Sequence, residues 1–415
     1  MMKIGIVGGG ASGMMAAAAA AEKAAIFSDK IEIYLIERNP FLGCKVLLSG
    51  GGRCNLTTGI DDIKTLMKKY PRGSNFLKTA MYEFPPNKTR EWFTSHGLPL
   101  KTEEDMRVFP VSNKARDVIN LFEKIFTENN VKILFNHEVI KISKKDNEFL
   151  IEFANNHPSL TVNKLILTTG GRPLSGIENP INGYSFAKDL GHKITKLTPS
   201  LTAFKIKEEW SKALSGLSFK DTKLRIKASR TYEYSGPFLF THKGVSGPAI
   251  FAISSLSAFE NFTEESPAKL LIDFVPNKTY EELNKLILEN IQKSPKKSVF
   301  YFMSDFLPKS LAKTISEILQ IDNKPFSFLS KKDINHITEA LKNTTLTITG
   351  RETGGEFVTA GGVDLIGVNK KTMESKICSG LYFAGEILDI DGFTGGFNLQ
   401  FAWATGKLAG ENLSE

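Results

Sequence analysis

KIGIVGGGASGMMAAAAAAEKAA, at residues 3–25, is the stretch of sequence that decides the fold. Residues 3–7 form a β-branched apolar run that predicts a buried strand, which ends in a glycine turn. The alanine-rich residues 11–25 are strong helix formers. A second apolar run, IEIYLI at residues 31–36, predicts a second strand. Strand, glycine turn, helix and strand make a βαβ unit, which indicates an α/β fold with a parallel sheet.

The turn has the spacing of a dinucleotide-binding loop, Gly8-x-Gly10-x-x-Gly13. Gly8 permits the tight turn, Gly10 lets the backbone approach a pyrophosphate, and Gly13 lets the helix pack close to the strand. Free N–H groups at the helix start, around Ala11 and Ser12, favour a phosphate charge. We therefore predict a nucleotide site here. The alternative is a glycine-rich turn of an α/β fold that binds no nucleotide.

Further nucleotide contacts are expected where other strands of the same sheet end. Glu37 follows the second strand at the distance from which a carboxylate accepts hydrogen bonds from a ribose. Because Arg38 comes directly after it, this pair leaves both FAD and NAD open. Residues 164–168 predict a strand that returns to the sheet. The candidate contacts at its end are Thr169, Gly170 and Gly171.

A second glycine cluster lies in GCKVLLSGGGRCNLTT, at residues 43–58. Three consecutive glycines after a serine favour a loop whose backbone can touch a flat ligand. A surface turn is the alternative, although such a turn rarely places basic and amide side chains around three glycines. The candidate contacts in this loop are Lys45, Ser49, Gly50, Gly51, Gly52, Arg53 and Asn55.

A third glycine cluster lies near the C-terminus. Residues 381–384, LYFA, predict a buried strand, and a glycine-rich loop and the helix-forming residues 399–413 follow. A glycine pair at a helix start presents backbone N–H groups to an electron-rich edge, which in a flavin is N1 and the O2 carbonyl. The candidate contacts are Gly385, Glu386, Asp391, Gly395, Gly396, Phe397 and Asn398.

In this order the motifs resemble the BaiN/YhiN-like flavoproteins, described broadly as NAD(P)/FAD-dependent oxidoreductases and in part as an aminoacetone oxidase family. The resemblance covers nearly the whole chain. Its most specific segments are SGGGRCN at residues 49–55 and GGFNLQ at residues 395–400. PSLTAF at residues 199–204 and VTAGGV at residues 358–363 also belong to it.

The resemblance implies a non-covalently bound, extended FAD held by the first glycine loop, Glu37, the second glycine loop and the C-terminal loop. Lys45 and Arg53 are expected near the flavin or its phosphates, and Glu386 near the ribityl chain. We expect an oxidoreductase that transfers a hydride between flavin N5 and an unidentified small-molecule substrate. No second GxGxxG begins another nucleotide domain, so NAD(P)H, if it is the donor, must bind transiently.

The expected fold is α/β: a Rossmann-like FAD-binding domain of a two-domain flavoprotein, with an inserted substrate domain. Residues 195–276 alternate loosely between apolar and polar, as in a barrel or sandwich, and residues 277–345 show helical spacing. We predict a discontinuous FAD-binding domain at residues 1–194 and 346–415. The inserted β-barrel plus helical domain is expected at residues 195–345.

The chain is basic, with 53 lysines and arginines against 45 acidic residues and a formal charge of +8. This balance favours anionic partners. The lysines are spread as isolated doublets such as Lys296-Lys297 and Lys331-Lys332, which is typical of a solvated surface. We expect neither a nucleic-acid nor a membrane partner, and the oligomeric state stays open. Two rival hypotheses remain: a flavin-dependent RNA-modifying protein, which the charge favours, and a non-catalytic flavin-binding redox sensor.

Outside the glycine loops, His242 in THKGVSGP is the candidate general acid or base, with a structural role in a tight loop as the alternative. No cysteine–histidine cluster has the spacing of a metal site.

Three cysteines without a C-x-x-C motif favour a reducing, cytoplasmic setting, and the N-terminus lacks the features of a signal peptide. The histidines expected at the surface are His96, His137, His157, His192 and His336.

Overall fold

A computed structural model describes residues 1–27, 31–171, 183–352 and 358–413. The chain divides into two compact units: unit 1 is Met1–Pro199 with Val358–Glu415, and unit 2 is Ser200–Phe357. Unit 1 thus ends at residue 199 where 194 was expected, and resumes at 358 where 346 was expected. The second difference arises because the strand at Thr344–Arg351 pairs within the barrel of unit 2.

Strands and helices alternate along the chain. The strands are β1 (Met2–Val7), β2 (Ile31–Ile36), β3 (Thr57–Thr58), β4 (Leu100–Thr102), β5 (Arg107–Pro110), β6 (Lys132–Leu134), β7 (Val139–Lys145), β8 (Glu148–Phe153), β9 (Leu160–Val162), β10 (Lys164–Leu167), β11 (Thr198–Ser200), β12 (Phe204–Ile206), β13 (Ser218–Lys227), β14 (Thr231–Thr241), β15 (Gly244–Ser246), β16 (Ala268–Asp273), β17 (Thr344–Arg351), β18 (Val358–Ala360) and β19 (Leu381–Phe383). The helices are α1 (Ala11–Phe27), α2 (Cys44–Leu48), α3 (Ile63–Met67), α4 (Ser74–Glu83), α5 (Pro86–Ser95), α6 (Ala115–Glu128), α7 (Gly183–Asp189), α8 (Glu209–Lys212), α9 (Pro248–Leu256), α10 (Tyr280–Lys293), α11 (Val299–Ser304), α12 (Lys309–Ile318), α13 (Lys331–Lys342) and α14 (Phe397–Glu411).

Unit 1 is built on a parallel sheet with the strand order β19-β10-β1-β2-β6. Neighbouring strands of this sheet all pair in parallel. The chain runs from β1 to β2 on one side and returns as β10 on the other, so β1 lies at the point where the strand order reverses. Ligands of such sheets bind at the carboxyl ends of the strands beside this point. The glycine loop after β1 lies at that edge.

Helices α1 and α14 pack with their backbones in close contact. A Cβ atom at Gly406 would lie 2.4 Å from the carbonyl oxygen of Ser12, and one at Gly410 would lie 2.3 Å from that of Ala16. The alanines at residues 16–21 are at most 4% exposed, so α1 presents only methyl groups along this stretch. Small residues on both helices therefore allow the backbones of α1 and α14 to pack closely. This close packing fixes the position of the start of α14 relative to the start of α1.

Two small antiparallel sheets, β7-β8-β9 and β3-β5-β4, complete the strand structure of unit 1, and β11 pairs with β18. The meander β7-β8-β9 packs beside β1, where a Cβ atom at Gly5 would lie 3.1 Å from a methyl group of Val162. Among the helices of the described residues, none is both long and apolar enough to cross a membrane.

Unit 2 contains a closed six-stranded barrel in the order β12-β15-β14-β13-β16-β17. Alternate residues of the strands point inward, and Phe240, Leu270 and Ile348 are fully buried. Helices α10 and α13 begin with reciprocal capping boxes at Thr279 and Ser330, which satisfy backbone donors of the first turn. The α/β fold with an inserted β-barrel and helices, predicted from the sequence, is thereby confirmed.

A buried ion pair ties α13 to the barrel. Lys342 Nζ lies 2.6 Å from Asp273 Oδ2, and both residues are 8% exposed. The same ammonium group donates to the carbonyl oxygens of Val275 and Lys278, at 3.1 and 2.7 Å. The charges of Lys342 and Asp273 are buried and compensate each other. Removing either side chain would therefore leave an unpaired buried charge.

His192 is buried, which corrects the surface position expected from the sequence. The residue is 3% exposed, its Nε2 lies 2.7 Å from Ser375 Oγ, and its ring packs edge-on against Phe383. Burial lowers the pKa of His192, because the imidazolium would lose its hydration. The flanking Gly191 and Lys193 are exposed, so the local sequence gives no sign of the burial.

We expect His192 to make unit 1 sensitive to acid. The pKa of His192 is lower in the folded chain than in the unfolded chain, so unfolding takes up a proton. Above about pH 6.5 His192 therefore leaves the free energy of unfolding unchanged. As the pH falls from about 6.5 to the pKa of His192 in the folded chain, the free energy of unfolding decreases by at most about 1.4 kcal/mol per pH unit. Thermal melts across this range should show the fall, and His192→Gln should reduce it. A variant of the exposed His336 with an equal effect would contradict the assignment.

Candidate functional site

The first glycine loop is shaped by two close contacts and leaves one position open. Gly8 has φ +109°, and a Cβ atom there would lie 2.6 Å from the carbonyl oxygen of Thr168. A Cβ atom at Gly13 would lie 1.9 Å from the carbonyl oxygen of Gly8. A Cβ atom at Gly10 would meet no described protein atom within 4 Å. Gly8 and Gly13 are thus required by the fold, whereas Gly10 faces free space at the start of α1.

Glu37 lies directly behind this loop, at the end of β2. Its Oε2 accepts from the Gly9 N–H at 2.8 Å and its Oε1 from the Asn39 N–H at 2.9 Å. Asn39 Nδ2 also donates to Oε1, at 2.6 Å, so both lone pairs of Oε1 are used and Oε2 keeps one. The residue is 8% exposed, so the carboxylate is held in one orientation. Arg38 is exposed. The carboxylate expected to bind the ribose is therefore fixed by the glycine loop itself.

The second glycine loop follows α2 as a tight turn of left-handed residues. Gly50, Gly51 and Gly52 have φ values of +58°, +68° and +84°. A Cβ atom at Gly50 would lie 2.8 Å from the Asn55 backbone nitrogen, whereas Gly51 and Gly52 face free space. The carbonyl oxygen of Ser49 accepts from Cys54 N–H at 3.0 Å and closes the turn. The backbone of Gly51 and Gly52 thus faces free space, and its predicted contact with a ligand stays a prediction.

An ion pair joins this loop to the C-terminal loop. Lys45 Nζ lies 2.8 Å from Glu386 Oε2, and Glu386 Oε1 accepts from the Thr359 N–H at 2.9 Å. Gly385, with φ +78°, would place a Cβ atom 2.3 Å from Ser12 Oγ at the start of α1. Residues from four separate parts of the sequence therefore meet at one edge of the parallel sheet.

The turn after β10 faces the same edge. A Cβ atom at Gly171 would lie 2.4 Å from Glu386 Oε1, whereas Gly170, with φ +74°, faces free space. Thr169 Oγ1 and Asp389 Oδ1 are buried and have no hydrogen-bond partner among the described residues. Burial raises the pKa of the Asp389 carboxyl, since its charged form is poorly solvated. Within the described part of the chain, these two buried polar atoms therefore lack the hydrogen-bond partner that such atoms usually have.

Arg53 has a different environment from Lys45. Its guanidinium pairs with Glu103 at 2.8 Å and lies over the ring of Phe109, 3.9 Å from its centre. Its charge is therefore already balanced within the protein, and a contact with a ligand phosphate would have to compete with Glu103. The role predicted for Arg53 at the flavin stays a prediction.

The loop before α14 is held by its own side chains. Asn398 Oδ1 accepts from the Gly392 N–H at 2.9 Å, and its Nδ2 donates to the Gly392 carbonyl oxygen at 2.8 Å. With its amide oriented for this contact, Asn55 Oδ1 accepts from the Gly396 N–H at 2.9 Å. Gly395 has φ +131°, and Phe397 begins the helix. Asn398 and Asn55 therefore shape the loop, and the contact of its remaining N–H groups with a flavin edge stays a prediction.

Asp391, a predicted cofactor contact, is fully buried and forms a two-pronged ion pair with Arg72. The Arg72 side chain, only 15% exposed, comes from the segment between α3 and α4. The geometry makes Asp391 an anchor for the C-terminal loop. Arg72 was missed in the sequence, because PRG at residues 71–73 has the composition of an ordinary turn.

A second missed contact lies under the loop. Gln400 is fully buried; its Oε1 accepts from Thr57 Oγ1 at 2.5 Å and its Nε2 donates to the Phe84 carbonyl oxygen at 3.0 Å. A Cβ atom at Gly396 would lie 2.3 Å from the carbonyl oxygen of Thr57. The available signal was Gln400 as the one polar residue in the otherwise apolar stretch LQFAWA, residues 399–404.

The cysteines and His242 are the remaining candidates for chemistry. Cys54 is fully buried, burial raises its pKa to about 12, and the pKa of Cys44 is raised as well, so both stay thiols at neutral pH. His242 is exposed in unit 2, in the two-residue turn between Thr241 and Gly244 that joins β14 to β15. Its catalytic role stays a prediction. Among the described residues no acidic, cysteine or histidine cluster could hold a metal ion.

The edge fits an extended dinucleotide such as FAD. Gly10, Gly51, Gly52 and Gly170 would each place a Cβ atom in free space, so their backbone is open to a flat or phosphorylated ligand. The starts of α1 and α14 supply N–H groups for negative charge. Carboxylate, ammonium and hydroxyl groups that suit ribose and ribityl hydroxyls lie among them.

The profile of one protein family, described as HI0933-like protein Rossmann domain, matches residues 2–412. The chain is 32% identical to 3-dehydro-bile acid delta(4,6)-reductase of Clostridium scindens, with 100% of both chains covered. It is 29% identical to ribosomal RNA dihydrouridine synthase of Haemophilus influenzae, with 90% of both chains covered.

Among solved structures the chain is similar to 3-ketosteroid-delta4-(5alpha)-dehydrogenase of Rhodococcus jostii, with a TM-score of 0.52 and 14% identity. The match covers 100% of this chain and 97% of that one, and at this identity it shows the fold alone. The family match and the relatives confirm the resemblance found in the motifs. They also confirm the prediction of an FAD-dependent oxidoreductase.

Proposed function

This chain belongs to the HI0933-like protein family of FAD-dependent oxidoreductases, and from that premise we propose that it reduces a carbon–carbon double bond conjugated to a carbonyl group. The names of its relatives support this chemistry. A delta(4,6)-reductase acting on a 3-oxo steroid saturates a bond conjugated to that ketone. A dihydrouridine synthase saturates the uracil ring next to a carbonyl group. Both bonds are electron-poor and accept a hydride at one carbon and a proton at the other.

The observation that carries the proposal is the convergence of three loops on one edge of the sheet. Lys45 of α2, which leads into the second glycine loop, and Glu386 of the C-terminal loop lie 2.8 Å apart. Gly385 touches the start of α1, where a Cβ atom would lie 2.3 Å from Ser12 Oγ. Such an arrangement suits a flavin that spans from the first loop to the last.

Each part of the edge has a separate task in this proposal. The N–H groups at the start of α1 bind the pyrophosphate, and Glu37 accepts from the ribose hydroxyls. Glu386, oriented by Lys45, accepts from the ribityl hydroxyls. The Gly396 N–H donates to Asn55, so the other backbone N–H groups at Gly395 and the start of α14 stabilise negative charge at the electron-rich edge. When bound, FAD supplies the hydride chemistry of its N5 position.

NAD(P)H is the proposed electron donor, and it would bind transiently. Among the described residues, unit 1 has a single parallel sheet, and the chain has a single GxGxxG loop. A second resident dinucleotide would need its own phosphate-binding loop. The donor would therefore bind at the flavin only transiently and leave before the substrate binds.

The proposal is tested by the visible spectrum of the purified, FAD-loaded protein under anaerobic conditions. We expect NADH or NADPH to bleach the flavin, and a conjugated enone added afterwards to restore its colour. The saturated ketone serves as control and should restore nothing. A flavin that neither nicotinamide bleaches would contradict the donor, and would favour a substrate that is itself the donor, or the redox sensor. A bleached flavin that no conjugated alkene reoxidises would contradict the reductase.

A second candidate substrate is uridine within RNA. It is supported by the formal charge of +8 and by lysines of unit 2 that no carboxylate among the described residues balances, as shown below. RNA binding by such a surface is electrostatic and weakens with salt. The same anaerobic assay distinguishes the two candidates, since uridine-containing RNA would then restore the flavin colour where a small enone does not.

A further inference from the structure

Two neighbouring segments of unit 2 form a basic surface with exposed aromatic rings, named here the lysine–aromatic surface. The segments are residues 295–304 and 325–332. Phe326 N–H donates to the carbonyl oxygen of Lys297 at 3.0 Å, and a β-bridge also joins the two segments. Residues separated by about thirty positions in the sequence are thereby held side by side.

The charge of this surface comes from four lysines, and the carboxylates nearest in sequence are Asp305 and Asp333, which directly follow the two segments. Its two segments contain no aspartate or glutamate. Its lysines are Lys296, Lys297, Lys331 and Lys332, all of them exposed. None of the ion pairs formed between described residues includes these four. Nearby lysines behave differently: Lys293 pairs with Glu289 at 3.3 Å and Lys324 with Asp333 at 2.7 Å. Within the described part of the chain, four positive charges therefore face solvent without a carboxylate partner.

The same two segments also carry two exposed aromatic rings, one in each segment. Tyr301 is 61% exposed and Phe328 is 70% exposed, which is costly for large apolar side chains. Tyr301 lines a shallow cavity together with Lys296, Lys297 and Ser298. An exposed ring beside a lysine offers a π-face for stacking and a charge for a phosphate, which together suit a nucleotide base and its backbone.

We propose that the lysine–aromatic surface binds a single-stranded stretch of RNA. The lysines contact phosphates, and Tyr301 and Phe328 stack on unpaired bases. A duplex hides the faces of its bases, so the rings select a loop or an unpaired segment. The inference rests on the second substrate of the proposed function, and it assigns the part of the chain that holds that substrate.

The test uses the FAD-loaded full chain and a short labelled RNA of mixed sequence, either single-stranded or annealed to its complement. Fluorescence anisotropy across a salt series gives the affinity and its salt slope. The variant K296A/K297A/K331A/K332A should lower the slope by about 0.7 for each phosphate that the lysines no longer bind. The variant Y301A/F328A should weaken binding of the single strand by about tenfold per ring, with the slope unchanged.

The matched control is K370A/K371A, which removes an exposed lysine pair from unit 1 and should leave affinity and slope as in the wild type. The inference is overturned if the control variant weakens RNA binding as much per removed lysine as the quadruple lysine variant does. It is also overturned if the duplex binds as tightly as the single strand, or if the wild type binds no RNA. Binding only to vesicles of anionic lipid would overturn it too. Flavin content and bleaching by NAD(P)H should be unchanged in every variant, so a failure to bind RNA with intact bleaching separates this inference from the reductase.

Discussion

Replacing Gly10 by valine should abolish FAD retention while leaving the protein folded. A Cβ atom at Gly10 would meet no described protein atom within 4 Å, and its backbone is not in the left-handed region, so the fold tolerates a side chain there. The same free space is where the backbone must approach a pyrophosphate. We expect the FAD affinity of Gly10→Val to fall by about 100-fold or more, roughly 3 kcal/mol.

Flavin absorbance after gel filtration, compared with the thermal midpoint of the apoprotein, measures the two effects separately. Gly13→Ala is the matched control, because its Cβ atom would lie 1.9 Å from the carbonyl oxygen of Gly8 and should lower the midpoint itself. If Gly10→Val purified with a full complement of FAD, the pyrophosphate would lie elsewhere. Equal destabilisation by both variants would show that Gly10 serves the fold and not the ligand.

The parts of the site that local sequence predicts are those that depend on backbone conformation. A side chain would collide with backbone atoms at Gly8 and Gly13, and φ is positive at Gly8 and Gly51. Glycine is the residue that adopts such positions without strain. The βαβ unit follows in the same way from strand and helix propensities over residues 3–36. These features depend on residues that are neighbours in the sequence, so they can be predicted without the tertiary structure.

Contacts between distant segments could not be predicted in this way. Arg72 and Asp391 are 319 positions apart, and Lys45 and Glu386 are 341 apart, so their pairing depends on the assembled sheet. The burial of His192 likewise comes from Phe383 and Ser375 of another segment. The sequence predicts Asp391 as a cofactor contact, but its ion pair with Arg72 could only be found in three dimensions.

Arg72→Ala should both destabilise unit 1 and weaken FAD binding. Asp391 is fully buried, and the Arg72 guanidinium meets both of its carboxylate oxygens. Removing the cation leaves a buried carboxylate without its counter-charge, at a cost of about 3–5 kcal/mol. The loop that carries Asp391 leads directly into Gly395 and Gly396 at the start of α14. We therefore expect FAD affinity to fall together with stability.

Lys342→Ala separates these two consequences. It breaks a buried ion pair of the same kind, with Asp273, but within unit 2. Urea unfolding should show a decrease of about 3–5 kcal/mol in the free energy of unfolding of each variant, provided each unit unfolds in one step. Only Arg72→Ala should weaken FAD binding at denaturant concentrations where both variants are folded. If the two variants retain FAD equally well, the anchoring of the C-terminal loop by Arg72 does not contribute to cofactor binding, and Asp391 serves stability alone.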